Sequence, residues 1–375
     1  MKYYIIAGEA SGDLHGSNLI KEILKKDPSA ELRCWGGDLM ESAGGEIIKH
    51  YKDLAFMGFI EVVSNLRTIV GNMKFCKKDI AAYNPDVVIF IDYPGFNLRI
   101  ADYVKSIGVK TFYYISPQIW AWDQKRVHKI KKLVDRMFVI LPFEEEFYQR
   151  FNYKVDYVGH PLLDAIEERD TSEVKLNALR KEFGLTDSPI VLLLPGSRKQ
   201  EISKMLPLML KQSIHFPNHQ FVLGAAPSFD LEYFDNALKG HPTVKIIANR
   251  TYDLLQIAEA ALVTSGTATL ETALFRVPEV VCYKGSFISY QLAKRFIKVK
   301  YISLVNLIMD KEVVRELIQS DFNEKLLKAE LGKLLKDSSY RAEMHANFDL
   351  LNQTLGGGGA SARTAQLMVE ALQTA

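Results

Sequence analysis

Tyr3–Ile20 reads YYIIAGEASGDLHGSNLI, an apolar run of strand type that breaks into glycines at Gly8, Gly12 and Gly16 and resumes as a helical pattern. A strand that feeds a glycine-rich turn and then a helix aims backbone N–H groups and a helix N-terminus at an anion. This turn carries Glu9 and Asp13 and no lysine. Its glycine spacing fits neither the P-loop nor the dinucleotide fingerprint, and two carboxylates would repel a pyrophosphate. The glycines therefore need another job.

The same strand–turn–helix alternation continues outward along the chain. YYIIAG, DVVIFID, TFYYIS and RMFVILP are the clearest strands of the first half. The pattern restarts after Pro189 with IVLLLPGSR, QFVLGAAP, VKIIA, AALVTSG and EVVCYKG. Short Val- and Ile-rich runs between longer helical patterns read as α/β with parallel sheets, here two of them. The charged, helical stretch HPLLDAIEERDTSEVKLNALRKEFGLTDSP (160–189) reads as a linker, which sets the boundary near Ile166. The expected organisation is an N-terminal domain over 1–166, a C-terminal domain over 167–340 and a helical tail over 341–375. Four glycines at 356–359 break that tail and would let it cross back to the first domain.

The 375 residues are 48% hydrophobic, enough for two domains with full cores. A net charge of +2 does not announce nucleic acid. Cys34, Cys76 and Cys282 lie far apart without zinc-ligand spacing and read as buried reduced thiols, which favours the cytoplasm. The first apolar run is too short for a signal-peptide core, and no apolar stretch reaches the roughly 18 residues of a spanning helix. Membrane contact, if there is any, is expected to be peripheral.

LLLPGSRKQEI (192–202) supplies what the opening turn lacks: a strand end, a Pro-Gly turn, a hydroxyl, and the cations Arg198 and Lys199. Ligands of open parallel sheets sit outside the carboxyl ends of the strands, where an arginine can grip two phosphate oxygens. Gly196, Ser197 and Arg198 are thus candidate phosphate contacts, against the plain alternative of a solvated turn. In LVTSGTATLETALF (262–275), Ser265, Gly266 and Thr267 close a strand and open a helix that carries Glu271. The helix N-terminus favours phosphate and Glu271 could accept from a ribose diol, unless the pattern is simple capping. DVVIFIDYPGFN (86–97) ends a buried strand in Asp92. Partial burial would raise the pKa of that carboxylate and let it take a proton from a hydroxyl, unless it only caps the turn.

Taken in order, AGEASGD (7–13), MGFIEV (57–62), IDYPGFN (91–97), SPQIWAW (116–122), KRVHKI (125–130), LPFEEEFY (141–148), GHPLLD (159–164), LLPGSR (193–198), SGTATLE (265–271) and YISLVNL (301–307) make a pattern that resembles the lipid-A-disaccharide synthase family of glycosyltransferases over nearly the whole length. The resemblance implies a GT-B fold, two Rossmann-like domains with parallel sheets facing a central cleft. The sugar nucleotide would be held mainly by the C-terminal domain and the acceptor by the N-terminal one. It implies Asp92 as base and puts Arg198 and Asn306 near the nucleotide; should Asp92 only cap its turn, Glu9 is the next candidate for the base. Glu9 and Ser11 match the family's opening loop, where Gly8 and Gly12 would let sugar hydroxyls approach and Gly16 would let the helix pack on the sheet. Val305, where many relatives have proline, and Gly95, where some have an acid, depart from the pattern.

The implied reaction joins UDP-2,3-diacylglucosamine to 2,3-diacylglucosamine 1-phosphate with inversion, giving a β-1,6-linked disaccharide and UDP. Neither a metal nor a cofactor is implied, and the chain has no D-x-D pair, its nearest approach being Asp230 and Glu232. Acylated substrates imply peripheral contact with the cytoplasmic face of the inner membrane, through 53–75 or through the basic aromatic stretch 286–301 with Lys294, Arg295, Lys298 and Lys300. Nucleic acid is not an expected partner, and a homodimer stays open. The rivals are another GT-B enzyme, such as a sugar-nucleotide epimerase or a peptidoglycan-type transferase, and a non-catalytic lipid or nucleotide carrier.

Overall fold

Val87–Ile91 and Ile190–Leu194 are each five apolar residues buried throughout. Strands of that kind need cover on both faces, as parallel sheets receive from their crossover helices. Each lies in the middle of its own parallel sheet in the computed structural model, which describes residues 1–54, 66–167, 172–226, 229, 231–285 and 299–373. The chain divides into two units, Met1–Ala165 with Leu355–Ala375, and Ile166–Thr354.

The first unit carries seven strands: β1 (Lys2–Ala7), β2 (Glu31–Gly36), β3 (Glu46–His50), β4 (Val87–Ile91), β5 (Lys110–Tyr114), β6 (Arg136–Val139) and β7 (Asp156–Tyr157). Their order is β3-β2-β1-β4-β5-β6-β7, so the direction of winding reverses between β1 and β4. Ile5 pairs with Ile89 on one side and with Cys34 on the other. The helix Ala10–Lys26 covers this sheet together with the last helix, Ala360–Gln373, which places Ala365 and Met368 in the same core as Leu19 and Ile23.

The chain returns to the first sheet through its glycine run. Gly356, Gly357 and Gly359 have φ of 80°, 72° and 84°, a left-handed region that only glycine adopts freely. Asp164 then accepts from the N–H groups of Gly359, Ala360 and Ser361 at 2.6, 3.1 and 2.8 Å, satisfying donors that the helix itself leaves orphaned. The preceding helix, Ser338–Thr354, belongs to the second unit, where Met344, Phe348 and Leu351 are buried and Arg341 reaches Glu259 at 2.7 Å. The tail expected from 341 therefore begins at Leu355.

The second unit has six strands: β8 (Ile190–Leu194), β9 (Gln220–Ala225), β10 (Lys245–Ala248), β11 (Ala260–Thr264), β12 (Glu279–Tyr283) and β13 (Arg315–Ile318). The order β10-β9-β8-β11-β12-β13 reverses between β8 and β11. The helix Lys199–His215 follows β8 and Thr267–Leu274 follows β11. Asn323 caps the helix Glu324–Lys336 by accepting from the Leu326 N–H at 3.0 Å.

All three cysteines are buried and unpaired. Among the described residues no helix is long and apolar enough to cross a membrane. MGFIEV, Asp230, and Lys294, Arg295 and Lys298 lie outside the described residues.

Candidate active site

In an open parallel sheet two neighbouring loops diverge where the strand order reverses, and ligands bind in the crevice so formed at the carboxyl ends. In the first unit the diverging loops follow β1 and β4, and they carry Glu9 and Asp92. In the second they follow β8 and β11, and they carry Gly196–Arg198 and Ser265–Thr267.

Asp92 is partly buried. Loss of hydration and then the negative charge of Glu9 push its carboxyl up to about 7, against a backbone hydrogen bond from Tyr93 that favours the ionised form. Glu9 is the extended N-cap residue of Ala10–Lys26, and its side chain does not cap that helix. Ser11 is exposed in the first turn of the helix.

The glycines of the opening loop serve packing. A Cβ at Gly8 would run into the ring of Tyr93, and one at Gly12 would sit 3.1 Å from the Ala7 Cβ. The space that a side chain would take at these two positions is thus filled by the protein. A Cβ at Gly16 would lie 2.7 Å from the Met40 sulfur, so this glycine receives the helix Asp38–Ser42 rather than the sheet. Asp13 is engaged as well, accepting from the N–H groups of Gly37, Leu39 and Met40 at 2.7, 3.2 and 3.1 Å. Of the two acids that set this loop apart in sequence, one caps a helix and the other faces Asp92.

In the second unit Gly196 has φ 108° and turns the chain sharply after β8. Arg198 is the N-cap residue of Lys199–His215, with 59% of its side chain exposed. Glu201 lies one turn on; its Oε1 stands 3.5 Å from Arg198 Nη1 and its Oε2 accepts from the Ser197 N–H at 3.3 Å. Sequence reading singled out the cation and missed this acid, although Arg-x-x-Glu across a helix start is the spacing at which a third-position carboxylate folds back on the cap.

Gly266 offers open backbone. Its φ of 159° and ψ of −162° suit glycine, and a Cβ there would meet nothing within 4 Å. Thr267 is exposed beside it, while the Ser265 hydroxyl donates to the Ile302 carbonyl at 2.9 Å. Glu271 accepts from the Tyr252 hydroxyl at 2.8 Å, and burial raises its carboxyl above the ordinary range.

Asn306 is fully buried and its amide is engaged on both sides. Nδ2 donates to the Val314 carbonyl at 2.8 Å and to Glu316 at 3.0 Å, while Oδ1 accepts from the N–H groups of Val313 and Val314 at 2.8 and 3.0 Å. Glu316 also accepts from the Ser303 N–H and hydroxyl at 2.9 and 2.8 Å. Here Asn306 is a clip that ties the helix Leu304–Met309 to β13.

Two parallel-sheet α/β units of this kind define a GT-B-like protein. Its solved structural neighbours include a UDP-GlcNAc 2-epimerase from Neisseria meningitidis bound to UDP-GlcNAc, with TM-score 0.71 and 13% identity over 100% of both chains. They also include the glycotransferase of kitacinnamycin, with TM-score 0.65 and 13% identity over 98% of both chains. At that identity the likeness speaks for the fold.

The family comes from the sequence comparison. A family model described as lipid-A-disaccharide synthetase matches residues 3–369. The lipid-A-disaccharide synthase of Trichlorobacter lovleyi is 40% identical, over 98% of this chain and 97% of its own length. That of Syntrophus aciditrophicus is 42% identical, over 96% and 95%. The chain belongs to the lipid-A-disaccharide synthetase family, and is a UDP-sugar-dependent glycosyltransferase. The match does not favour the epimerase, peptidoglycan-type or carrier readings.

Proposed function

We propose that the chain transfers the sugar of UDP-2,3-diacylglucosamine to the 6-hydroxyl of 2,3-diacylglucosamine 1-phosphate, releasing UDP and forming a β-1,6 bond by one inverting displacement. The observation that carries this reading is Asp92, a carboxylate at the reversal point of its sheet whose pKa is held near 7. A base is most effective when its pKa lies close to the working pH. Asp92 takes the proton of the attacking hydroxyl as the new C–O bond forms at the anomeric carbon, and the bond to UDP breaks with its electron pair leaving on the phosphate. Glu9 keeps Asp92 basic. Arg198, Lys199 and the open helix start at Gly266 stabilise the charge that develops on the departing UDP. No metal or other cofactor has a part in these steps.

Both substrates are acylated, so we infer that the protein works at a bilayer surface. The helix Leu66–Tyr83 supports this, since it exposes Val70 (42%) and Phe75 (45%) along with Arg67, Lys74 and Lys78. Replacing Val70 and Phe75 by serine should reduce co-sedimentation with anionic vesicles.

The reaction is tested with the purified full chain by following UDP release. Release should need both acylated donor and acceptor, and Asp92→Asn should cut kcat by about 10²–10⁴-fold with UDP affinity kept. A fully active Asp92→Asn variant would overturn the assignment of the base.

A further inference from the structure

Asp92 and Tyr93 are consecutive non-glycine residues in the left-handed region, with φ of 44° and 48°. Such a pair persists only where the surroundings over-determine it. Both backbone polar groups of Asp92 are tied down. Its N–H donates to the Tyr114 carbonyl at 3.1 Å, in step with the β4–β5 ladder. Its carbonyl, turned out of that ladder, accepts from the Tyr113 hydroxyl at 2.5 Å and from Asn97 Nδ2 at 2.7 Å. Asn97 Nδ2 also lies 3.3 Å from the Ile91 carbonyl. Tyr113 and Asn97 are completely buried, so neither has water to fall back on.

The arrangement is convergent. Tyr113 comes from β5 and Asn97 from the helix Pro94–Ser106, and they close on one carbonyl from two elements. A turn that needed only to reverse the chain would require neither. The helix start is already held by the Tyr93 carbonyl, which accepts from the N–H groups of Phe96 and Asn97 at 3.3 and 3.0 Å. What the two added bonds fix is the peptide plane after Asp92, and with it the direction in which its side chain leaves the backbone.

We propose that Asn97 and Tyr113 are positioning residues for the transfer: together they lock the Asp92 carbonyl and so aim the Asp92 carboxylate. The role rests on the reading of Asp92 as base. Among the described residues, the charged and titratable groups that bear on the Asp92–Tyr113 pair are Glu9 from the loop after β1, Tyr93 from its own turn, and Tyr148 and Arg126 around Tyr113. Loosening the clamp lets the carboxylate turn toward water, which lowers its pKa and spoils its line of approach.

The test uses full-length Tyr113→Phe, Asn97→Leu and the double variant, each also in an Asp92→Asn background. Leucine keeps the γ-branched shape of the asparagine, with some added bulk, and removes the donor; Asn97→Gln restores one. In the parent background the double variant should lose about 10²-fold in kcat, the cost of a small misplacement, with calorimetric UDP affinity unchanged. The rising limb of its kcat/KM profile should move to lower pH, and Asn97→Gln should recover part of the rate. In the Asp92→Asn background the same changes should cost almost nothing further, because residues that act through one group are not additive.

Equal losses in both backgrounds, or a loss that follows thermal stability while the pH limb stays in place, would overturn the positioning role and leave the base intact. An Asp92→Asn variant with parental activity would instead remove the base, and this role with it.

Discussion

Glu9 and Asp92 leave the carboxyl ends of adjacent strands at the reversal point of the first sheet, and the charge of Glu9 adds to burial in holding the Asp92 carboxyl near 7. A base works ionised, so kcat/KM should rise with pH through about 7 and level off above it. Removing the neighbouring charge in Glu9→Gln should move that limb to lower pH. Burial is the larger cause, so the limb should stay above the ordinary aspartate value of about 3.9. A pH–rate profile of both proteins is the check, and an unmoved limb would mean that Glu9 does not act on the base.

The same shift has a consequence for stability. In the folded chain Asp92 holds its proton up to about 7, whereas the unfolded chain loses it near 3.9. Between those values the folded state binds more protons, so this group's contribution to stability is present at low pH and is lost as pH rises toward and through 7. Asp92→Asn cannot ionise. Its melting temperature should therefore gain on the parent as pH increases from 5 to 8, and a constant difference across that range would contradict the raised pKa.

Arg198 and Glu201 should respond in opposite senses. With Arg198 holding UDP as proposed, Arg198→Ala should remove a charge-assisted contact worth about 1.5–3 kcal/mol and raise the UDP Kd roughly ten- to hundredfold. Glu201→Gln keeps an acceptor for the Ser197 N–H but cancels the charge facing Arg198. The ion pair is exposed and worth at most about 1 kcal/mol, so its release should tighten UDP by no more than about fivefold. Calorimetric titration resolves both, and weaker binding in Glu201→Gln would make that acid a ligand contact instead of a competitor.

Asn306→Ala should act on stability. It strands the N–H groups of Val313 and Val314, the Val314 carbonyl and one face of Glu316 in a buried place, at a cost of about 3 kcal/mol or more. Urea unfolding should register that loss, while protein that remains folded binds UDP with near-parental affinity. A stable variant that no longer binds UDP would return Asn306 to the nucleotide site.

What could be read in the sequence follows from burial. VVIFI and IVLLL are continuous apolar runs because both faces are covered, and they stood out. The strands ELRCWG, EIIKH and RELI did not, because each carries charge that the tertiary structure neutralises. Arg33 in β2, for instance, forks onto Asp79 at 2.8 and 3.0 Å and onto Glu46 of β3. The place of Asp92 was legible from one strand end, since an acid after a buried run falls at the carboxyl end of the sheet. The work of Gly8, Gly16 and Asn306 was not, because Tyr93, Met40 and Glu316 reach them from elements that local pattern cannot bring together.

The attachment of the last helix supplies the final prediction. Asp164 collects three consecutive N–H groups at the start of Ala360–Gln373 with one carboxylate, and no residue of the glycine run before it has a side chain that could replace that acceptor. Asp164→Ala should cost about 2 kcal/mol, toward the upper end for loss of a cap. The loss should be local: amides of Ala360–Gln373 should exchange about thirtyfold faster, while those of Ser338–Thr354, which pack in the other unit, keep their protection. Asp164→Asn, which retains one acceptor oxygen, should recover part of the difference. Equal acceleration in both helices would mean that Asp164 supports the whole chain and that the return of the last helix is secured by its apolar face, through Ala365 and Met368, without the cap.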